Sequence, residues 1–163
     1  MKLYFELEAL IDALNVAGIE YALCGGLAVA MHGYVRFTQD IDLMARESDV
    51  PRILQAVLPL GFTFEEGLLE LGWQTDPDNL VRLFRVSKAL DRELLTLDLL
   101  LTGPAEADRW QDLVWFEWQG RKLPVVSLRV LAAMKRRSGR PRDLLDLNEL
   151  GISDADFPND SPS

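Results

Sequence analysis

The sequence predicts an α/β (α+β) fold with a mixed sheet, and three observations carry that reading. A short apolar run, Tyr21 to Cys24, ends in a glycine pair that opens a helix; Leu94 to Leu101 is apolar almost throughout at strand length; and apolar residues recur at helical spacing near both ends. With 48% hydrophobic and 26% charged side chains, the 163 residues suit one domain, expected over residues 1–152.

The elements follow in order. Leu3, Leu7, Leu10, Ile11 and Leu14 form the apolar stripe of a first helix that Gly18 stops. Tyr21 to Cys24 is a buried strand, and Leu27 to His32 a short helix closing at Gly33. Arg36 to Gln39 is a loop. Asp40 to Met44 alternates acid and apolar residues as a strand, and Val50 to Leu58 returns to helical periodicity behind Pro51 before Gly61 ends it. Leu80 to Val86 and Leu94 to Leu101 are two more strands, followed by a short helix over Ala105 to Leu113. Val114 to Gln119 and Lys122 to Val126, divided by Gly120, form a hairpin, and helices follow at Ser127 to Arg137 and Pro141 to Leu150. Ser153 to Ser163, where Asp, Pro and Ser replace apolar residues, is expected to be a weakly ordered tail.

Composition removes several function classes. One histidine, His32, and one cysteine, Cys24, exclude a disulfide and a zinc cluster, so any metal must use oxygen ligands. No apolar run reaches the ~20 residues that span a bilayer, so a cytoplasmic protein without membrane contact is expected. A net charge of -9 disfavours a broad nucleic-acid surface. The basic residues cluster late, with no acid between Arg129 and Asp143.

The chemistry-bearing signal is Gly25-Gly26, then Asp40 and Asp42, then Asp98. Glycines lack a Cβ, so their amides can approach a phosphate closely at the start of a helix. Two aspartates alternating on a strand share a face with carboxylates roughly 7 Å apart, near enough to ligate one or two divalent ions. Asp98, alone in an apolar strand, needs a metal, a basic partner or a proton.

This arrangement, with Tyr21-Ala22-Leu23-Cys24-Gly25-Gly26, Arg36, Thr38 and Asp40-Ile41-Asp42-Leu43, resembles the nucleotidyltransferase superfamily of the DNA polymerase beta type. It looks most like the branch of abortive-infection (AbiEii-type) toxins and small-molecule nucleotidyltransferases, and residues 135–147 look like the basic helix and following helix start of the toxin-like members. The resemblance implies a minimal nucleotidyltransferase fold that moves a nucleoside monophosphate from an NTP, such as ATP, to a hydroxyl of RNA, protein or a small molecule. It implies Mg2+ or Mn2+ on Asp40, Asp42 and Asp98, with Asp98 also helping to deprotonate the acceptor. Gly25, Gly26, Arg36, Thr38, Lys135 and Arg140 would hold the nucleotide. A place in a toxin-antitoxin or phage-defence pair is one expectation, and a catalytically silent, antitoxin-like partner is the alternative.

Other residues have plainer readings. His32 and Cys24 are expected to be packed; Trp110, Trp115, Trp118 and Phe116 form core, an interface or a base-stacking surface. If Lys135 and Arg140 were a solvated helix end instead of phosphate contacts, replacing them would change stability by only ~0.5 kcal/mol.

Overall fold

The computed structural model describes residues 2–71 and 80–158. Helix α1 (Lys2–Val16) leads to strand β1 (Ala22–Cys24), helix α2 (Gly25–Met31), strand β2 (Ile41–Arg46) and helix α3 (Val50–Val57). Strands β3 (Phe64–Leu71), β4 (Val81–Leu90) and β5 (Glu93–Thr102) follow. A 3-10 segment (Pro104–Gln111), strands β6 (Leu113–Trp118) and β7 (Arg121–Val126), and helices α4 (Leu128–Ser138) and α5 (Pro141–Glu149) complete the order.

Seven strands make one sheet in the order β3-β4-β5-β2-β1-β7-β6. It is mixed: β2 runs parallel to β5 and antiparallel to β1, while β1 is parallel to β7. Long apolar runs go to the centre, and Ile41, Leu43, Leu97 and Leu99, which share one face there, are shut from solvent. The stripe expected on α1 is buried as Leu7, Leu10, Ile11 and Leu14. Helix α4 starts on a Ser127 cap whose hydroxyl accepts the Val130 N–H at 3.2 Å, and it stops at Gly139 with φ +62°.

Three details differ from the sequence reading. Strand β3 has no counterpart there, because it is an edge strand exposed on both faces, with a bulge between Glu65 and Gly67, and so shows no inside-outside alternation. Asp40 lies just before β2 instead of inside it. The helix expected over Ala105 to Leu113 is a 3-10 segment that ends at Gln111, and Leu113 already belongs to β6. In the tail, Arg136 donates to the carbonyls of Ser153, Asp156 and Phe157; residues 159–163 lie outside the described residues. No described helix is long and apolar enough to cross a membrane.

Leu97 sits between Ile41 and Val86, both fully buried like itself. Leu97→Ala is expected to lower the unfolding free energy by about 2–5 kcal/mol in urea titration, the range for a buried cavity in a well-packed core. A loss under about 1 kcal/mol would contradict this central placement.

Candidate active site

Strand β1 ends in the glycine turn, and its register with β2 sets Cys24 against Asp42. Gly25 has φ +62°, and a Cβ there would lie 2.0 Å from Oδ2 of Asp42. Only glycine satisfies both the backbone and the carboxylate packed on it. A Cβ on Gly26 would meet Thr38 Oγ1 at 2.9 Å and the Arg36 guanidinium at 3.1 Å. The loop of Arg36 and Thr38 therefore closes directly over the glycines.

The acids form a row across the sheet. Asp42 pairs in register with Asp98 on β5, and Asp98 with Arg85 on β4. Arg85 grips Asp98 with two hydrogen bonds, from Nε to Oδ1 at 2.7 Å and from Nη2 to Oδ2 at 2.8 Å. This is the basic partner that an aspartate in an apolar strand requires, and the bond pushes the Arg85 guanidinium above its usual range. Asp40 and Asp42 have no hydrogen bond or ion pair among the described residues. Burial, then the charges of Asp98 and Asp40, push the Asp42 carboxyl up to about 7. Asp40 is raised by burial and by Asp98.

These two carboxylates fit a divalent ion, because both carry charge that no cation in contact offsets. Asp98 would have to share its oxygens with Arg85. No preformed cluster of three or more His, Cys, Asp or Glu side chains suited to a metal exists among the described residues.

The expected phosphate-contact cations meet two acids of α5. Arg36 reaches Asp146 at 2.8 and 3.0 Å, Lys135 reaches Asp146 at 2.8 Å and Asp143 at 3.0 Å, and Arg140 reaches Asp143 at 2.8 Å. Asp146 is fully buried and Lys135 only 5% exposed, so Lys135 is no solvated helix end, whereas the Arg140 side chain is exposed. Burial works against the charge of Asp143, yet hydrogen bonds from Arg140 and Lys135 hold its carboxyl down at about 2. The sequence reading missed Asp143, Asp146 and Arg85. The only local sign of the first two was their one-turn spacing behind Pro141.

Together these residues line a cleft of about 550 Å³. Gly25, Gly26, Arg36, Asp40, Asp42, Asp98, Lys135 and Arg140 all reach it, while Thr38 stands behind Gly26. The aromatic residues lie elsewhere or serve packing. Trp110 donates to Thr102 Oγ1 at 2.9 Å beneath Arg46, Trp118 tilts against Tyr4, and Trp115 is exposed on β6. His32 is packed as expected, with Nε2 at 2.8 Å from the Val126 carbonyl and Phe116 edge-on.

Residues 6–150 match the family model of aminoglycoside-2''-adenylyltransferase. No curated protein sequence matches the chain. Among solved structures, the chain is similar to a candidate nucleotidyltransferase of Thermotoga maritima, with 16% identity, 91% of each chain covered and a TM-score of 0.61. It is similar to the lincosamide antibiotic adenylyltransferase LnuA bound to lincomycin, with 17% identity over 90% of this chain and 94% of that one, TM-score 0.60. It is also similar to ANT(2")-Ia in complex with adenylyl-2"-tobramycin, with 16% identity over 93% and 91% of the chains, TM-score 0.60. At such identities the likeness concerns the fold, a mixed sheet flanked by helices.

Two outcomes follow from the charges. An acid raised from 3.8 to about 7 on folding binds more protons folded than unfolded, so stability falls as pH rises through that window. In chelator-treated buffer, Asp42→Asn is expected to be the more stable protein near pH 8 by on the order of 2 kcal/mol, after discounting for partial exposure, and to match the parent near pH 4. Equal stability of the two proteins near pH 8 would contradict the shift. Lys135→Met is expected to cost about 3 kcal/mol in chemical denaturation, since it strips a cation from two buried acids; a change of only ~0.5 kcal/mol would mark a surface residue.

Proposed function

The chain belongs to the aminoglycoside-2''-adenylyltransferase family and is a nucleotidyltransferase enzyme, and from that premise we propose that it moves a nucleoside monophosphate from an NTP to a hydroxyl of a small molecule. The observation that carries this reading is the register of Asp42 beside Asp98, with the carboxylate of Asp42 packed on Gly25 at the floor of the cleft. Phosphate-binding backbone and catalytic acids thus share one wall.

In the reaction, the acceptor oxygen attacks the α-phosphorus, the bond from that phosphorus to pyrophosphate breaks, and the hydroxyl proton passes to a carboxylate. Asp98 is the proposed proton acceptor, and Arg85 fixes the direction of its oxygens. The backbone at Gly25 and Gly26, together with Arg36 and Thr38, would cradle the triphosphate. Lys135 and Arg140 add positive charge to the same wall, although both also serve the acids of α5. A magnesium or manganese ion held by Asp40 and Asp42 would supply Lewis-acid charge at the reacting phosphate.

The small-molecule acceptor is favoured by the family match. The likeness to abortive-infection toxins rests on the glycine and aspartate stretch, which small-molecule nucleotidyltransferases share, and on residues 135–147, of which Lys135 and Arg140 are here paired with Asp143 and Asp146. A toxin-antitoxin role, with RNA or protein as acceptor, is therefore the lesser reading.

The test is transfer of label from ATP carrying radioactive α-phosphate, with magnesium and a panel of hydroxyl compounds, RNA and protein. Asp40→Asn with Asp42→Asn is expected to lower transfer by about a hundredfold or more. Asp98→Asn is expected to lose turnover while keeping Mg–ATP affinity in calorimetry. Unchanged nucleotide and metal affinity in the Asp40 and Asp42 double variant would overturn the assignment.

A further inference from the structure

The three acids of the row are not equally open to a metal. Of them, only Asp98 has a cation in contact among the described residues, and both of its oxygens accept from the Arg85 guanidinium. An ionised carboxylate offers about four acceptor positions, of which this two-pronged grip takes two. A dication on the other two would face the guanidinium across the same carboxylate, with twice the repulsion that two unit charges feel at that distance. In keeping with this, no three acids among the described residues are gathered as a metal cluster, although Asp40, Asp42 and Asp98 all line the cleft.

Arg85 also has a second acid within reach. Its Nη1 lies 3.8 Å from Oε2 of Glu66 on β3. In the pairing of β3 with β4, Glu65 faces Val86 and Gly67 faces Arg85, so Glu66 is the extra residue of the bulge. A bulge re-aims the side chain it carries, and here that side chain comes up to the guanidinium from the side away from Asp98. The Glu66 side chain is 52% exposed and that of Arg85 32%, so packing locks neither in place.

We propose that Arg85 competes with divalent ions for Asp98. The protein without nucleotide takes its ion on Asp40 and Asp42, and a metal reaches the third acid only by moving the guanidinium across to Glu66. This rests on the metal site of the nucleotidyltransferase reading and says which of its acids are open to an ion. Arg85 is a positioning residue that sets the order in which the acids are loaded, and Glu66 is its alternative partner.

The test is titration of the full chain with Mn2+ in the absence of nucleotide, counting bound ions from the loss of the free Mn2+ signal in electron paramagnetic resonance. The parent is expected to bind about one ion per chain, which Asp42→Asn abolishes and Asp98→Asn leaves at the same affinity. Arg85→Gln is expected to open a second Mn2+ site, at least about tenfold tighter than any second binding in the parent, and adding Asp98→Asn should close it again. Should Arg85→Gln fail to fold, Arg85→Lys, which keeps the charge and loses the two-pronged grip, is expected to show the same second site at intermediate affinity. Glu66→Gln should weaken second-ion binding in the parent by a few-fold, because the displaced guanidinium loses its other partner. The competition is overturned if the parent takes two ions and loses one in Asp98→Asn, if it takes none, or if the Arg85 variants bind Mn2+ as the parent does. Calorimetry with Mg–ATP is the separate control: a parent that binds Mn2+ as expected and no Mg–ATP would sink the nucleotidyltransferase reading and leave the competition at Asp98 standing.

Discussion

Two carboxylates, Asp42 and Asp98, stand side by side on adjacent parallel strands at the centre of an otherwise apolar sheet. Like charges in such a place are costly, and much of the architecture is arranged around that cost. Asp98 is offset from within by Arg85, which the antiparallel pairing of β4 brings into register. Asp42 receives no such partner, and its carboxyl is driven up to about 7. The asymmetry is chemically useful: one acid is oriented by a guanidinium, and the other is left wanting a cation.

A second ionic layer stands beside the first. Asp143 and Asp146 on α5 gather Arg36, Lys135 and Arg140, three residues from the loop over the glycines, from α4 and from the turn between the helices. Buried clusters of this kind contribute little net stability compared with apolar packing, but losing one member is expensive. Here they tie the C-terminal helices to the glycine turn, because the Arg36 guanidinium that bonds Asp146 also lies directly over Gly26.

What could be read from the sequence was local. The glycine pair, the alternating acids and the lone acid of β5 each carry their signal within a few residues, and all of them line one cleft. The strands and helices with strong apolar periodicity were legible for the same reason. Arg85, Asp143 and Asp146 were not singled out, because a charged residue on a strand or helix looks solvated until the fold brings its surroundings close; Asp146 and Arg36 are far apart along the chain. Strand β3 escaped because an edge strand with both faces outward has no hydrophobic period to detect. The basic segment was noticed for its charge, yet its neutralising acids follow immediately after it.

The contact between Gly25 and Asp42 also constrains the order in which this site can decay. While an aspartate occupies position 42, an added methyl at position 25 collides with its carboxylate at 2.0 Å and strains a left-handed backbone. Only when position 42 has itself become glycine is the collision gone, because the Cβ of Asp42 also lies 2.7 Å from the added methyl, and then the backbone strain alone opposes replacement of Gly25. In a degenerating lineage the acid therefore goes first and the glycine afterwards. A later return of aspartate would then meet a methyl where there had been space, so the path back is closed by sterics at a neighbouring residue.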